Sequence, residues 1–381
     1  MKAVVCHEGA LTVRETAVPE PGSGQVLIKV LRTGICGSDL HATADADELN
    51  ALMLESGYTT AIRPHQQVVL GHEFLGEVVS YGPGTRKRWA AGTTVTALPI
   101  LRTNVGMHLT GFDVHAPGGY AEYTLVEEAL TFSVPDAVPL DKAAFTEPLT
   151  VARHAVRRSG VGKTDPTVVI GCGPIGLAII LMLKATGVTN VIASDPSPGR
   201  RQLAARCGAD VVVDPNAESP WDALRIKDPV NSTPELLAFA LKMTKLVRRI
   251  PMLSVEKVFY GADRMGQSPS GPVIFECAGV PGIIDHVIAN APLRSTVTVV
   301  GMCTAVDEFR PSVALSKEID LRFAFGYDPA EFSETLRMIA AGKVDPTPLH
   351  TATVGLADVA QAFADLADPE RHAKILIDPS L

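Results

Sequence analysis

The sequence contains no pair of cysteines spaced as CxxC. Its six cysteines, Cys6, Cys36, Cys172, Cys207, Cys277 and Cys303, are scattered along the chain. That scatter argues against a disulfide framework and makes a reducing cytoplasm the expected location. Long hydrophobic runs are also missing. The longest, at residues 175–183, is far short of a membrane span, so no membrane association is expected. The apolar run at the start of the chain is too short for a signal peptide, with Glu8 close behind it. Positive charge is in deficit, with 34 Lys and Arg against 42 Asp and Glu and a net charge of -8. A surface that tracks phosphates needs the opposite balance, so nucleic acid is not an expected partner. Low-complexity tracts and repeats at solenoid periods are absent too.

What is present is an ordinary globular composition, 46% apolar and 20% charged, able to bury large cores. Its 381 residues suggest roughly two to three domains. Residues 25–30, 76–79 and 93–96 are short β-type runs broken by Gly and Pro. They predict a mostly antiparallel, barrel-like domain at the start of the chain. From about residue 152 the pattern changes. Strands are predicted at 167–170, 191–193, 211–213, 273–275, 297–300 and 321–325, with a helix at 174–185. Continuous apolar strands alternating with helices imply a parallel sheet covered on both faces. Helices at 330–341 and 356–366 and a strand at 374–377 follow. Two stretches fit poorly. Residues 45–57 read as a helix set among strands and loops. Residues 216–271 form a connection too long to lack structure of its own, with a helix predicted at 234–249.

Gly171-Cys172-Gly173-Pro174-Ile175-Gly176 is a GxGxxG segment. Alone it is a weak signal, because a glycine-rich strand–helix turn need not bind a nucleotide. Here it leaves a predicted strand and opens a predicted helix, and Asp195 ends the next strand, which is the context the motif requires. Gly171 permits the tight turn, Gly173 lets the backbone approach a pyrophosphate, and Gly176 lets helix and strand pack closely. Pro174 and Ile175 begin the helix whose free N–H groups face the phosphates. Asp195 is expected to accept hydrogen bonds from the adenosine ribose and to repel a 2′-phosphate, favouring NAD over NADP. Arg200 and Arg201 qualify this, since a nearby arginine can hold that phosphate or can simply open a solvated helix. Ala278 and Gly301, after two later strands, complete the expected cofactor contacts.

Three further segments offer metal ligands: Cys36 within residues 34–41, His72-Glu73 after Gly71, and Glu147 before Pro148. Taken singly each is unremarkable. A lone Cys is more often a small buried residue, and a lone His-Glu pair more often a surface one. Together a thiolate, an imidazole and a carboxylate suit zinc, with a fourth position open to a substrate oxygen. His65, His108 and His115 show no ligand-type spacing. Lys242, Lys245, Arg248 and Arg249 read as a solvated helix face.

In this order, ahead of a nucleotide fold, these segments resemble the zinc-containing medium-chain dehydrogenase/reductase family, on the branch of sorbitol, threonine and secondary-alcohol dehydrogenases. The resemblance runs nearly end to end, through residues 34–41, 71–78, 118–123, 146–149, 171–176 and 374–377. It implies an α/β chain of two parts. A doubly wound, parallel-sheet Rossmann domain spans 152–327, with an insertion at about 216–271. A GroES-like, mostly antiparallel β catalytic domain is formed by 1–151 and 328–381. It implies one catalytic zinc on Cys36 and His72, completed by Glu73, Glu147 or water held by either. The implied reaction moves a hydride between NAD and an alcohol, secondary or polyol by preference, or its carbonyl product. Residues at the positions of Ser38 and His41 pass the proton outward in related enzymes, although Ser38 could equally cap a turn. A homodimer or homotetramer is implied, relatives pairing their sheets near residues 296–301.

Two departures carry weight. The family often holds a second, structural zinc on four closely spaced cysteines, but the matching stretch at about 98–117 has none. A single zinc is therefore expected. That stretch is apolar instead, with Leu98, Ile100, Leu101, Val105 and Met107, which also suits a bulkier alcohol. The Cys36-to-His72 connection is longer than usual for the family, and its extra helix at 45–57 is expected either at the mouth of the active site or as a plain surface insertion. Asp39 reads as a turn or cap residue, and Glu77 and Glu122 as structural. Two other readings compete. A zinc-free quinone or enoyl reductase would lack the Cys–His–Glu set. A catalytically inactive NAD-binding relative, structural or regulatory, would have no need of the complete set Cys36, Ser38, His41, His72 and Glu147.

Overall fold

The computed structural model describes residues 1–224, 231–250, 253–264 and 271–381. Two sheet systems organise them. The first is seven-stranded. Its path runs Thr131–Ser133, Thr94–Ala97, Glu73–Tyr81, Gln25–Gly34, Lys374–Ile377 and His350–Val354, with Tyr123–Glu127 also pairing with Gln25–Gly34. Pairing is antiparallel except between His350–Val354 and Lys374–Ile377, a parallel pair that local pattern did not announce. Gln25–Gly34 is the hub. Its residues alternate into a core of Val26, Ile28, Phe74, Val78 and Val95. Gly76 lies so close to the Lys29 carbonyl that any side chain there would collide with it.

The second sheet is six-stranded and wholly parallel. Its order is Val211–Val213, Val191–Ser194, Thr167–Ile170, Val273–Glu276, Thr296–Val299 and Asp320–Phe323. Every predicted strand is present, shifted by at most two residues at an end. Val168, Val169, Ile274 and Phe275 have no exposure, as expected for a sheet covered on both faces. The order reverses between Thr167–Ile170 and Val273–Glu276, which opens a crevice beyond their carboxyl ends. Thr296–Val299 is an interior strand with neighbours on both sides, and among the described residues the edge strands are Val211–Val213 and Asp320–Phe323.

Helix Thr146–Ser159 joins the two systems. Leu149 and Ala152 on this helix pack in one core with Leu75 and Leu376 of the first sheet, with Val169 of the second and with Leu177 of the helix Pro174–Thr186. The helix predicted at 45–57 exists as Ala46–Glu55, opened by the Asp45 side chain accepting from Glu48 N. The 216–271 connection contains helices Thr233–Val247 and Val255–Arg264; its residues 225–230, 251–252 and 265–270 lie outside the described set. The segment predicted as a helix at 356–366 begins as a 3₁₀ turn, Leu356–Asp358, before Val359–Leu366. Among the described residues no helix is long and apolar enough to cross a membrane.

Candidate metal centre and dinucleotide cleft

The first sheet delivers three ligand-type side chains to one point. Strand Gln25–Gly34 ends at Gly34, and Cys36 sits in extended backbone just before helix Gly37–Ala44. Opposite Gly34 in the ladder stands Glu73, at the start of its own strand, with His72 immediately before it. Gly71 makes that turn with φ +97, and a Cβ there would also run into the Tyr120 ring. As a result the ligand atoms of Cys36, His72 and Glu73 lie within 4.8 Å of one another. Glu147, on helix Thr146–Ser159, is buried nearby but stands outside this cluster.

Buried partners hold each group. Asp39 has no exposure and one of its oxygens accepts from Cys36 N at 2.9 Å and from Tyr120 OH at 2.7 Å. Its other oxygen lies 3.4 Å from His72 Nδ1. Asp39 therefore does more than end a turn: one carboxylate ties the cysteine backbone to the histidine ring. Burial opposes a charge on His72, yet Asp39 and the Cys36 thiol outweigh it and hold the imidazole well above its usual pKa. The surroundings thus attract positive charge. Lys374 Nζ lies 2.5 Å from the Glu73 carboxylate, both groups being buried. The ammonium reaches both carboxylate oxygens, donating to Oε1 and pairing with Oε2. Glu147 accepts from Tyr327 OH at 2.7 Å. Burial, and next the charge of Glu73, push its carboxyl up to about 7. Ser38 Oγ is 3.3 Å from His72 Nε2, and His41 follows one turn later on the same helix, half-exposed.

The glycine turn has the shape its sequence requires. Gly171 has φ +87, and a Cβ there would meet Ala278 N at 2.7 Å. A Cβ on Gly176 would strike the Gly171 carbonyl, whereas one on Gly173 would meet nothing within 4 Å. Open space at that one position is what a close-approaching ligand needs. Pro174 is the first helical residue, and Ile175 is half-buried behind it. Asp195 is buried, and its carboxylate accepts from Cys172 N at 2.7 Å and Ser197 N at 2.8 Å, so the acid braces the turn as well as closing its strand. Across the crevice the buried Glu276 accepts from Ala278 N at 2.7 Å and Gly279 N at 2.8 Å, and a side chain on Gly301 would collide with Gly279 N. Arg201 turns inward to Asp195 O at 2.8 Å, Pro196 O at 2.7 Å and Asp214 at 3.1 Å, while Arg200 stays half-exposed.

Asp39, Tyr120, Lys374, Tyr327 and Glu276 were not expected in these roles. The partners of Tyr120, Lys374 and Tyr327 lie far away in sequence, whereas Asp39, three residues from Cys36, and Glu276, two and three residues from Ala278 and Gly279, bond locally.

Residues 22–136 match the alcohol dehydrogenase GroES-like domain, and residues 174–233 match the zinc-binding dehydrogenase domain. The chain is 30% identical to (R,R)-butanediol dehydrogenase of Bacillus subtilis over 390 aligned residues, covering 100% of both chains. It is 28% identical to sorbitol dehydrogenase of Bos taurus, covering 95% of this chain and 92% of that one. The crystal structure of 2R,3R-butanediol dehydrogenase from Bacillus subtilis superposes with a TM-score of 0.73 at 29% identity, covering 99% of each chain. With both domain matches in the expected order and a relative aligned along its whole length, the chain belongs to the zinc-containing medium-chain dehydrogenase/reductase family.

Proposed function

We propose that the chain is a zinc-dependent alcohol dehydrogenase that moves a hydride between NAD and a secondary alcohol or polyol. The observation that carries this reading is the convergence of Cys36, His72 and Glu73 within 4.8 Å, brought together from two separate segments of the chain. A thiolate, an imidazole and a carboxylate are a zinc donor set, and the third of them, Glu73, is buried with the Lys374 ammonium 2.5 Å away. Membership of Glu73 in the cluster favours it over Glu147 as the third ligand, with Glu147 held in reserve by Tyr327. When bound, zinc supplies Lewis acidity and nicotinamide accepts or returns the hydride. The chain's own residues do the rest. Asp39 holds the His72 ring in orientation, Ser38 Oγ takes and passes the alcohol proton, and His41 carries it toward solvent. The glycine turn 171–176, Asp195, Arg200, Ala278 and Gly301 seat the dinucleotide. The domain limits follow as 1–151 with 328–381, and 152–327. The working form is a homodimer or homotetramer in the cytoplasm.

One zinc per chain follows from the cysteine-free stretch at 98–117. The test is metal analysis of the purified protein, combined with NADH formation across a panel of secondary alcohols, diols and polyols. One zinc and turnover are expected. Two tight zincs would remove the single-metal claim, and a zinc-loaded protein inert to the whole panel would remove the function.

NAD is favoured because the acids outnumber the free bases at the ribose end. Asp195 is fixed there, Arg201 is tied into the fold, and the Glu370 carboxylate accepts from Gly199 N at 2.8 Å on the adjoining helix start. A 2′-phosphate would meet two carboxylates. NAD is expected to exceed NADP in kcat/KM by roughly two orders of magnitude, the scale of a like-charge clash. Asp195→Ala should narrow that ratio, and equal use of both cofactors by the unaltered protein would contradict the role of Asp195. His41→Ala should slow alcohol oxidation by up to about 10²-fold, most at low pH, where hydroxide is too scarce to replace a relay. An unchanged pH–rate profile would count against the relay.

A further inference from the structure

The stretch at 98–117 folds as a hairpin of strands Ile100–Thr103 and Gly106–Leu109 followed by a tight turn. At its centre His108 is 1% exposed although its sequence context gave it no role. Its Nε2 lies 2.7 Å from Thr103 Oγ1 across the hairpin. Its Nδ1 lies 3.1 Å from Asp113 Oδ2 in the turn and 3.2 Å from Thr60 Oγ1, in the segment after the extra helix Ala46–Glu55. Asp113 is itself 2% exposed and also accepts from His115 N at 2.8 Å. One imidazole therefore joins three pieces of chain, and both of its nitrogens are used.

The turn it fixes presses on the metal centre. Gly111 has φ +87, and a Cβ there would come within 3.0 Å of the Gly71 backbone, directly before His72. Gly111 N donates to Ala116 O at 2.8 Å and Phe112 N to Leu109 O at 3.1 Å, closing the loop. Phe112, 2% exposed, is thereby set against the His72 ring, with centroids 5.0 Å apart. Asp39 restrains that ring at one nitrogen. Phe112 restrains it by packing.

We infer that the buried cluster His108, Asp113, Thr60 and Thr103 positions His72 for metal binding, by locking the turn that sets Phe112 against its ring. The inference rests on the zinc site proposed above. These four are positioning residues: they act through the hairpin they fasten and not by touching substrate or the proposed zinc.

Zinc release to a chelator, followed on the purified zinc-loaded protein alongside thermal unfolding, tests the inference. His108→Ala and Phe112→Ala should each release zinc about 10-fold faster, the scale seen when outer supports of metal-binding histidines are removed. The double variant should release it no faster than Phe112→Ala, because both act through one ring. A lower unfolding midpoint in His108→Ala with an unchanged release rate would overturn the inference, as would additive effects in the double variant. Thr103→Val removes only a hydroxyl, and it reads the same quantity if His108→Ala fails to fold. A smaller acceleration is expected, and an unchanged rate would overturn the inference. Absence of zinc from the unaltered protein would instead overturn the metal site itself.

Discussion

Replacing Cys36 by Ser, or His72 by Ala, is expected to remove zinc and turnover together. A serine hydroxyl stays protonated at neutral pH, so it cannot replace a thiolate as an anionic ligand. An alanine at 72 offers no donor at all. Losing one preorganised stabiliser of developing charge commonly costs about 10²–10³ in rate, and losing the electrophile should cost more than that. The two variants should differ in stability. Cys36→Ser keeps the Cys36 backbone donor to Asp39. His72→Ala leaves the fully buried Asp39 with only Cys36 N and Tyr120 OH, and without the ring that lowers its pKa alongside them. The glycine turn 171–176 is built on the second sheet and neither residue belongs to it, so both variants should still bind NADH with near-normal affinity, measurable by fluorescence. Metal content, NADH binding and turnover together form the test. Turnover that survives complete demetallation would end the zinc-based account.

How much of this was legible in the sequence depends on the range of each contact. The glycine turn was readable because its causes are local: a strand, three glycines at fixed spacing and a helix start occupy consecutive residues. The six parallel strands were readable for a similar reason, since burial on both faces leaves continuous apolar runs such as Thr167–Ile170. The helix Ala46–Glu55 announced itself as charged residues followed by apolar ones, and the structure adds the Asp45 cap that opens it. The supports of the metal centre were not readable. Lys374 meets Glu73 across 301 positions, Tyr327 meets Glu147 across 180 and Tyr120 meets Asp39 across 81. No periodicity reports such pairings; only the register of strands Lys374–Ile377 and Glu73–Tyr81 on either side of Gln25–Gly34 creates the first of them. The hairpin within 98–117 shows the same limit of local pattern. Leu101 is buried there, but Val105 and Met107 are exposed, and the stretch is organised around His108 rather than around its hydrophobic residues.

Lys374→Met should have the largest effect on stability, and that effect should depend on metal. The ammonium and the Glu73 carboxylate are both at most 2% exposed and lie 2.5 Å apart. Gly34 makes room for them, since a side chain there would strike Glu73 Oε2. Burial works to lower the Lys374 pKa, but Glu73 and then Cys36 outweigh it, and the net result is a raised value. A raised pKa on a lysine contributes stability that is complete below its unfolded value and is lost only as pH climbs through the folded one. The pair therefore operates undiminished at neutral pH. Removing one partner leaves the other as an uncompensated buried charge, which costs about 3–5 kcal/mol. Metal-free Lys374→Met should lose that amount in chemical denaturation at pH 7. With zinc bound, the cation supplies the missing countercharge to Glu73 and the loss should shrink. Glu73→Gln combined with Lys374→Met removes both charges and should recover most of the metal-free stability, as neutral replacements of buried pairs commonly do. If the double variant were as unstable as Lys374→Met alone, the lost stability would reflect packing of the lysine stem between the strands, and the charge pairing at Glu73 would not be its cause.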